Sequence, residues 1–213
     1  MSNSSAHTTS FSNQSIFFQE EDLRYDKKTR PGYFPAWLGQ PIPSDTGRYV
    51  IVRKLGWGQF SNVWLARDLK LNRFVSLKIL TCEATLELQS GRCDELRLLQ
   101  KLAAERSHSG GQHVIEYYEN FEFDGPDGHH CCIVTEVLGL SVHSVRTKGG
   151  NRDWRISLPL VKAIVKQVLL ALGFIHESCN IVHTGKHISP RRMASSLNRS
   201  YRPQTGQYSP SAG

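Results

Sequence analysis

"RKLGWGQFSNVWLARD", residues 53–68, decides the fold. A β-rich run, "RYVIVRKL" (48–55), enters a turn carrying Gly56 and Gly58, and "NVWLARD" (62–68) leaves it. The polar turn "LKLNR" leads to a third run, "FVSLKIL" (74–80). Short β-rich runs between polar turns predict an antiparallel meander. Further along, "VIEYYENFEF" (114–123) and "HCCIVTEVL" (130–138) are joined by "DGPDGH", a strong hairpin signal. Between the two groups, "CDELRLLQKLA" places Leu96, Leu99 and Leu102 at helical spacing. Residues 48–138 are thus expected to hold five strands and one main helix, an α+β arrangement. "LPLVKAIVKQVLLALGFIHES" (158–178) is apolar on nearly every face and predicts the buried helix of a larger body.

Bulk composition narrows the class. The 213 residues are 39% hydrophobic, enough for a real core. No unbroken apolar run approaches the length of a membrane span, so no membrane association is expected. The start, "MSNSSAHTTSFSNQS", lacks the basic and apolar regions of a secretory signal. Residues 1–30 are expected to be disordered, being rich in Ser, Thr and Asn before a proline- and aromatic-bearing lead-in. Five cysteines without metal spacing read as reduced thiols of an intracellular protein. The net charge of +7 is largely a property of the tail. Five of the 26 basic residues lie after Gly185 with no acidic residue among them, and the remaining 21 face 19 acidic ones. The body therefore offers no polyanion-binding face, and no specific nucleic-acid partner is expected.

Three features bear chemistry, each with a plainer alternative. Gly56 and Gly58 let the backbone approach a ligand, and successive N–H groups there form an anion site; a Gly-x-Gly hairpin is more often only a turn. Strand alternation sets Lys78 on the face of Phe74, Ser76 and Leu80, where a partly desolvated ammonium needs an anionic partner; the alternative is a lysine that snorkels to water. Glu95, 17 residues later, borders the inward face of the following helix and supplies such a partner; the alternative is a solvated helix charge.

Together these features form the pattern of a protein-kinase N-lobe. "RKLGWGQFSNVWLARD", "DELRLL", "EVLG", "IVHT" and the lead-in "PGYFPAWLGQPI" resemble the SR-protein kinases, which phosphorylate serine/arginine-rich splicing factors. The resemblance covers residues 32–184. It implies an N-lobe over 31–138 and a hinge with an incomplete helical C-lobe over 139–184. It also implies ATP as cofactor with Mg2+, serine/arginine-rich protein substrates, and a cytoplasmic or nuclear location. Leu55 and Val63 would flank the adenine. Gly56, Trp57, Gly58, Gln59, Phe60, Ser61 and Asn62 would form the loop over the phosphates. Lys78 would hold the α- and β-phosphates and pair with Glu95. Thr135 would stand at the back of the adenine pocket, and backbone groups of Glu136 and Leu138 would bond the adenine edge.

The resemblance breaks at the catalytic loop. His183 and Thr184 take the family's positions, but Gly185 stands where the aspartate base belongs. Losing such a base costs about 10² to 10⁴ in rate. From Lys186 to Gly213 no carboxylate side chain occurs, so no metal ligand of the family pattern is present there. The expectation is a chain truncated before the metal-binding motifs, without a catalytic residue, inactive in phosphotransfer and weak in nucleotide affinity. Residues 185–213, a basic tail foreign to the family, read as translated intron, because GGT AAG, one of the ways to encode Gly-Lys, contains a splice-donor-like GTAAG. The alternative is a pseudokinase-like binding or scaffold module. An RNA-binding role for the tail ranks last, since only Tyr201 and Tyr208 offer stacking there.

Overall fold

The computed structural model describes residues 32–43, 45–148 and 156–182. Residues 1–30 and the basic tail 185–213, which is likewise expected to be disordered, lie outside the described residues, as do His183 and Thr184.

Alternation drives the central strands into one antiparallel sheet. Its strands are β1 (Pro41–Ile42), β2 (Tyr49–Gly58), β3 (Ser61–Asp68), β4 (Arg73–Leu80), β5 (Tyr117–Gly125) and β6 (Gly128–Thr135), in spatial order β1-β2-β3-β4-β6-β5. The five expected strands are joined by a sixth. Pro41 and Ile42 pair with Val50 and Tyr49, and the proline's missing N–H is harmless at a sheet edge. Val75, Leu77 and Ile79 of β4 are fully buried on one face, packed with Ile51, Trp64, Ala66, Cys132 and Val134.

The sheet curls over this core. β2 and β5 are far apart in strand order, yet the Tyr49 ring stacks on Phe121 at 5.6 Å. An ionic clasp closes the curl beside them. Arg48 Nη1 donates to Glu119 Oε1 at 2.7 Å, while its Nε and Nη2 donate to the two carboxylate oxygens of Asp68 at 3.0 and 2.9 Å. Asp68 is fully buried, and the Arg48 hydrogen bonds hold its carboxyl below the usual carboxylate range against the opposing effect of burial. Burial pushes Glu119 up, but hydrogen bonds from Tyr49 and Arg48 outweigh it and leave its pKa lowered.

The other face is covered by helices. Leu80, Cys131 and Ile133 pack with Ala84 of α1 (Cys82–Gln89) and with Leu96 and Leu99 of α2 (Glu95–Ala104). α2 is the helix expected from the leucine spacing. α1 was not expected: it is short, and its start is fixed by Thr81, whose Oγ1 accepts from Ala84 N at 3.1 Å. Thr85 of α1 then accepts from Cys131 N at 3.0 Å, tying the helix to β6. The β5–β6 hairpin turns at Pro126-Asp127, with Gly125 opposite Gly128. A Cβ on Gly125 would stand 2.8 Å from the His130 ring and 2.9 Å from Phe34.

Beyond β6 come α3 (Val142–Lys148) and α4 (Leu158–Gly173), the latter widening into a last turn, Phe174–Ser178. α4 has the composition expected of a helix buried in a larger body, and among the described residues most of its apolar side chains are exposed; Leu169 is 62% exposed. It docks near its C-terminal end. Gly110, at φ 89°, comes so close that a Cβ there would lie 2.2 Å from Leu170 O, and Phe174 and Cys179 are buried. Leu158–Ser178 is also long and apolar enough to cross a membrane by length and composition. The sequence reading counted unbroken apolar runs, and Lys162 and Lys166 interrupt this one.

Candidate functional site

A cleft of about 740 Å³ opens between the β2–β3 hairpin, β4, α2 and the segment that follows β6. Leu55, Val63, Lys78, Glu95, Thr135, Glu136 and Leu138 all line it. Register places them. Lys78 sits opposite Val63 on one neighbouring strand and Ile133 on the other, and Thr135 pairs with Ser76.

Lys78 Nζ donates to Glu95 Oε1. The lysine side chain is 31% exposed and the glutamate 37%, so the pair lies at the wall of the cleft with water still in reach. Glu95 is the first residue of α2, where the helix dipole favours a carboxylate. Of the two sequence readings of each residue, the paired one is observed.

At the far end of the cleft the backbone is held firmly. Glu136 N donates to Glu116 O at 2.9 Å, and Glu116 N donates to Glu136 Oε1 at 2.7 Å. Thr135 is buried, and its Oγ1 donates to Glu136 O at 3.2 Å. Leu138 is exposed at the rim.

Gly56, Trp57, Gly58, Gln59, Phe60, Ser61 and Asn62 form the hairpin tip beyond these lining residues. Gly56 and Gly58 meet no atom within 4 Å of a built Cβ, so crowding inside the chain demands neither glycine. Ser61 and Asn62 are buried, and Asn62 Nδ2 donates to Phe34 O at 2.9 Å. Asn62 therefore serves the lead-in segment rather than the cleft.

Ser76, Leu99, Ile115, Ile133 and Leu140 also line the cleft and escaped the sequence reading. Strand alternation already put Ser76 beside Lys78; Ile133 needed the strand pairing. A divalent cation finds no free ligand set. Glu95 is bound to Lys78, the Glu136 carboxylate accepts from the backbone, and among the described residues no three His, Cys, Asp or Glu side chains are grouped so as to hold a metal ion.

Comparison with known proteins agrees with this geometry. The protein kinase domain family matches residues 49–185, which includes the cleft and α4. Protein kinase dsk1 of Schizosaccharomyces pombe is 39% identical over 165 residues, 77% of this chain and 28% of that protein. Serine/threonine-protein kinase SKY1 of Saccharomyces cerevisiae is 39% identical over 170 residues, 78% of this chain and 22% of that protein. SRSF protein kinase 3 of Homo sapiens is 33% identical over 174 residues, 80% of this chain and 30% of that protein. The chain thus spans less than a third of the length of these relatives. The crystal structure of a kinase domain superposes with a TM-score of 0.55 at 19% identity, covering 68% of this chain and 39% of that one, a likeness of fold alone. With a family match over more than half its residues, the chain belongs to the protein kinase domain family.

Proposed function

We propose that the cleft binds ATP and that the chain is the nucleotide-binding part of a serine/threonine kinase of the SR-protein-kinase type. The observation that carries this reading is the Lys78–Glu95 pair, held across the wall of a cleft that runs from the glycine hairpin to the Glu136–Leu140 segment. Bound ATP would supply the phosphoryl group. Leu55 and Val63 would cover the purine from the sheet side. The Glu136 carbonyl and the Leu138 N–H would bond its edge, since Glu136 N is already engaged with Glu116. Thr135 would set the depth of the pocket. Lys78 would neutralise phosphate charge, its ammonium positioned by Glu95. The loop Gly56–Ser61 would lie over the phosphates. Mg2+ fits no described ligand set, so no step is assigned through it.

Serine/arginine-rich substrates belong to the same reading, supported by the name of the relative SRSF protein kinase 3, and a cytoplasmic or nuclear place of action is proposed with them. A second reading is a binding module without phosphotransfer, favoured by Gly185 at the position of the base. Titration with ATP tests the common part. The Lys78→Met variant is expected to bind about 10-fold or more weakly, with its melting midpoint little changed. Equal affinity of variant and parent would sink the assignment. Transfer of labelled phosphate to a Ser/Arg-repeat peptide would then favour the kinase, and binding without transfer the module.

A further inference from the structure

The lead-in segment before β1 makes unusually direct contact with the glycine hairpin. Two consecutive residues, Tyr33 and Phe34, reach it, and Gly32 reaches the start of α1 beside it. Tyr33 is 7% exposed, and its hydroxyl donates to Gly58 O at 2.8 Å with Gln59 O at 3.2 Å. Phe34 O accepts from the buried Asn62 Nδ2. Gly32 O accepts from Cys82 N at 2.9 Å, one residue beyond Thr81, whose own N–H donates to Phe60 O at 2.9 Å. The tip carbonyls of Gly58, Gln59 and Phe60 are therefore all tied to groups outside the loop.

That pattern matters for an anion. A phosphate is attracted by backbone N–H groups and repelled by carbonyl oxygens, and a loop free to rotate its peptide units presents both. Tyr33, Phe34 and Gly32 do not line the cleft, so they hold the loop without occupying the space a nucleotide would fill. Phe34 in turn is locked by edge-on packing against Phe123 (centroids 4.9 Å apart) and His130 (5.4 Å). The tyrosine hydroxyl thus hangs from a rigid anchor rather than from a loose strand.

We infer that Tyr33 is a positioning residue for phosphate recognition: its hydroxyl fixes the carbonyls of Gly58 and Gln59 outward, so that the loop meets the nucleotide's phosphates with N–H groups. This rests on the proposed placement of the loop over the phosphates. The lead-in then contributes to affinity for the charged end of the ligand and nothing to affinity for the purine.

The test compares the full chain with Tyr33→Phe, which keeps the buried ring and removes only the hydroxyl. Hydrogen exchange without ligand reads the clamp itself. Amides of residues 56–61 are expected to exchange about 3- to 10-fold faster in the variant, with β4 and β6 unchanged. Binding reads the function. ATP affinity should fall about 3- to 10-fold while adenosine affinity stays as in the parent. Unchanged loop exchange overturns the clamp. Faster exchange with ATP and adenosine affected alike, or neither affected, overturns the positioning role. A parent chain that binds neither ligand removes the nucleotide reading and the positioning role with it, whatever the exchange data show.

Discussion

Strand β4 and helix α4 are both rich in large aliphatic side chains, but they meet different surroundings. Val75, Leu77 and Ile79 on β4 are sealed between neighbouring strands, while Val165, Val168 and Leu169 on α4 stand in the open. The difference shows that apolar composition states a need for cover without naming what provides it. In β4 the cover comes from the hairpin neighbour β3 on one side and from β6, distant in sequence, on the other, both within the same sheet. α4 touches the rest of the described residues through Gly110 and the turn after Gly173.

Four measurements sharpen or break that contrast. The largest effect belongs to the sheet core: Leu77→Ala should lower unfolding free energy by about 3 kcal/mol in denaturant titration. A cost below that of an exposed site would mean the curled core is looser than its packing implies. Next is the clasp. Asp68→Asn leaves Arg48 short of its buried partner and should cost about 2 kcal/mol. Because the folded pKa of Asp68 is depressed, its stabilisation is present above the unfolded value of about 3.9 and is lost as pH falls through the lower folded value. The variant should therefore show a flatter acid limb below pH ~4 than the parent.

A smaller effect separates two adjacent histidines. His130 is fully buried, its Nδ1 bonded to Leu80 O at 2.9 Å, and burial depresses its pKa. Its stabilising contribution is present above about pH 6.5 and fades as pH falls below it, when the unfolded chain takes up the proton first. His129 is the opposite case. Hydrogen bonds to Glu122 and Asp124 raise its pKa, so its contribution is present below about pH 6.5 and lost as pH rises through the folded value. Exposure makes the second contribution the weaker one. The melting midpoint should drop between pH 7 and 5, and His130→Gln should remove most of that slope. Last, Val165→Ser with Leu169→Ser on the open face of α4 should change stability by no more than about 0.5 kcal/mol while reducing self-association in sedimentation. A large loss of stability there would show that α4 is covered after all.

The parts legible in the sequence were those with local rules. Lys78 followed from strand alternation and Glu95 from helix phase, and the two meet as the pattern required. The hairpin at Pro126-Asp127 was read from its turn residues. α1 was not legible, because eight residues with a mixed surface carry no clear period, and Thr81 as its cap was the only signal. β1 is two residues long and is recognised by its pairing rather than its pattern. The closing of the sheet by Arg48 joins positions about 70 residues apart, which no local rule connects. Ile133 and Ile115 entered the cleft for the same reason.

The glycine hairpin carries its own light source. Trp57 stands between Gly56 and Gly58, 44% exposed, with Lys54 Nζ 5.2 Å from its ring centroid. Trp64 is buried in the core, with the same Lys54 Nζ 5.6 Å from its ring centroid, so its emission would have to be removed to read Trp57 alone. Indole emission shifts and brightens or dims with local polarity and nearby charge. A chain whose other tryptophans are phenylalanine would therefore report, from one position and without any attached dye, each arrival and departure of a charged visitor beneath the loop.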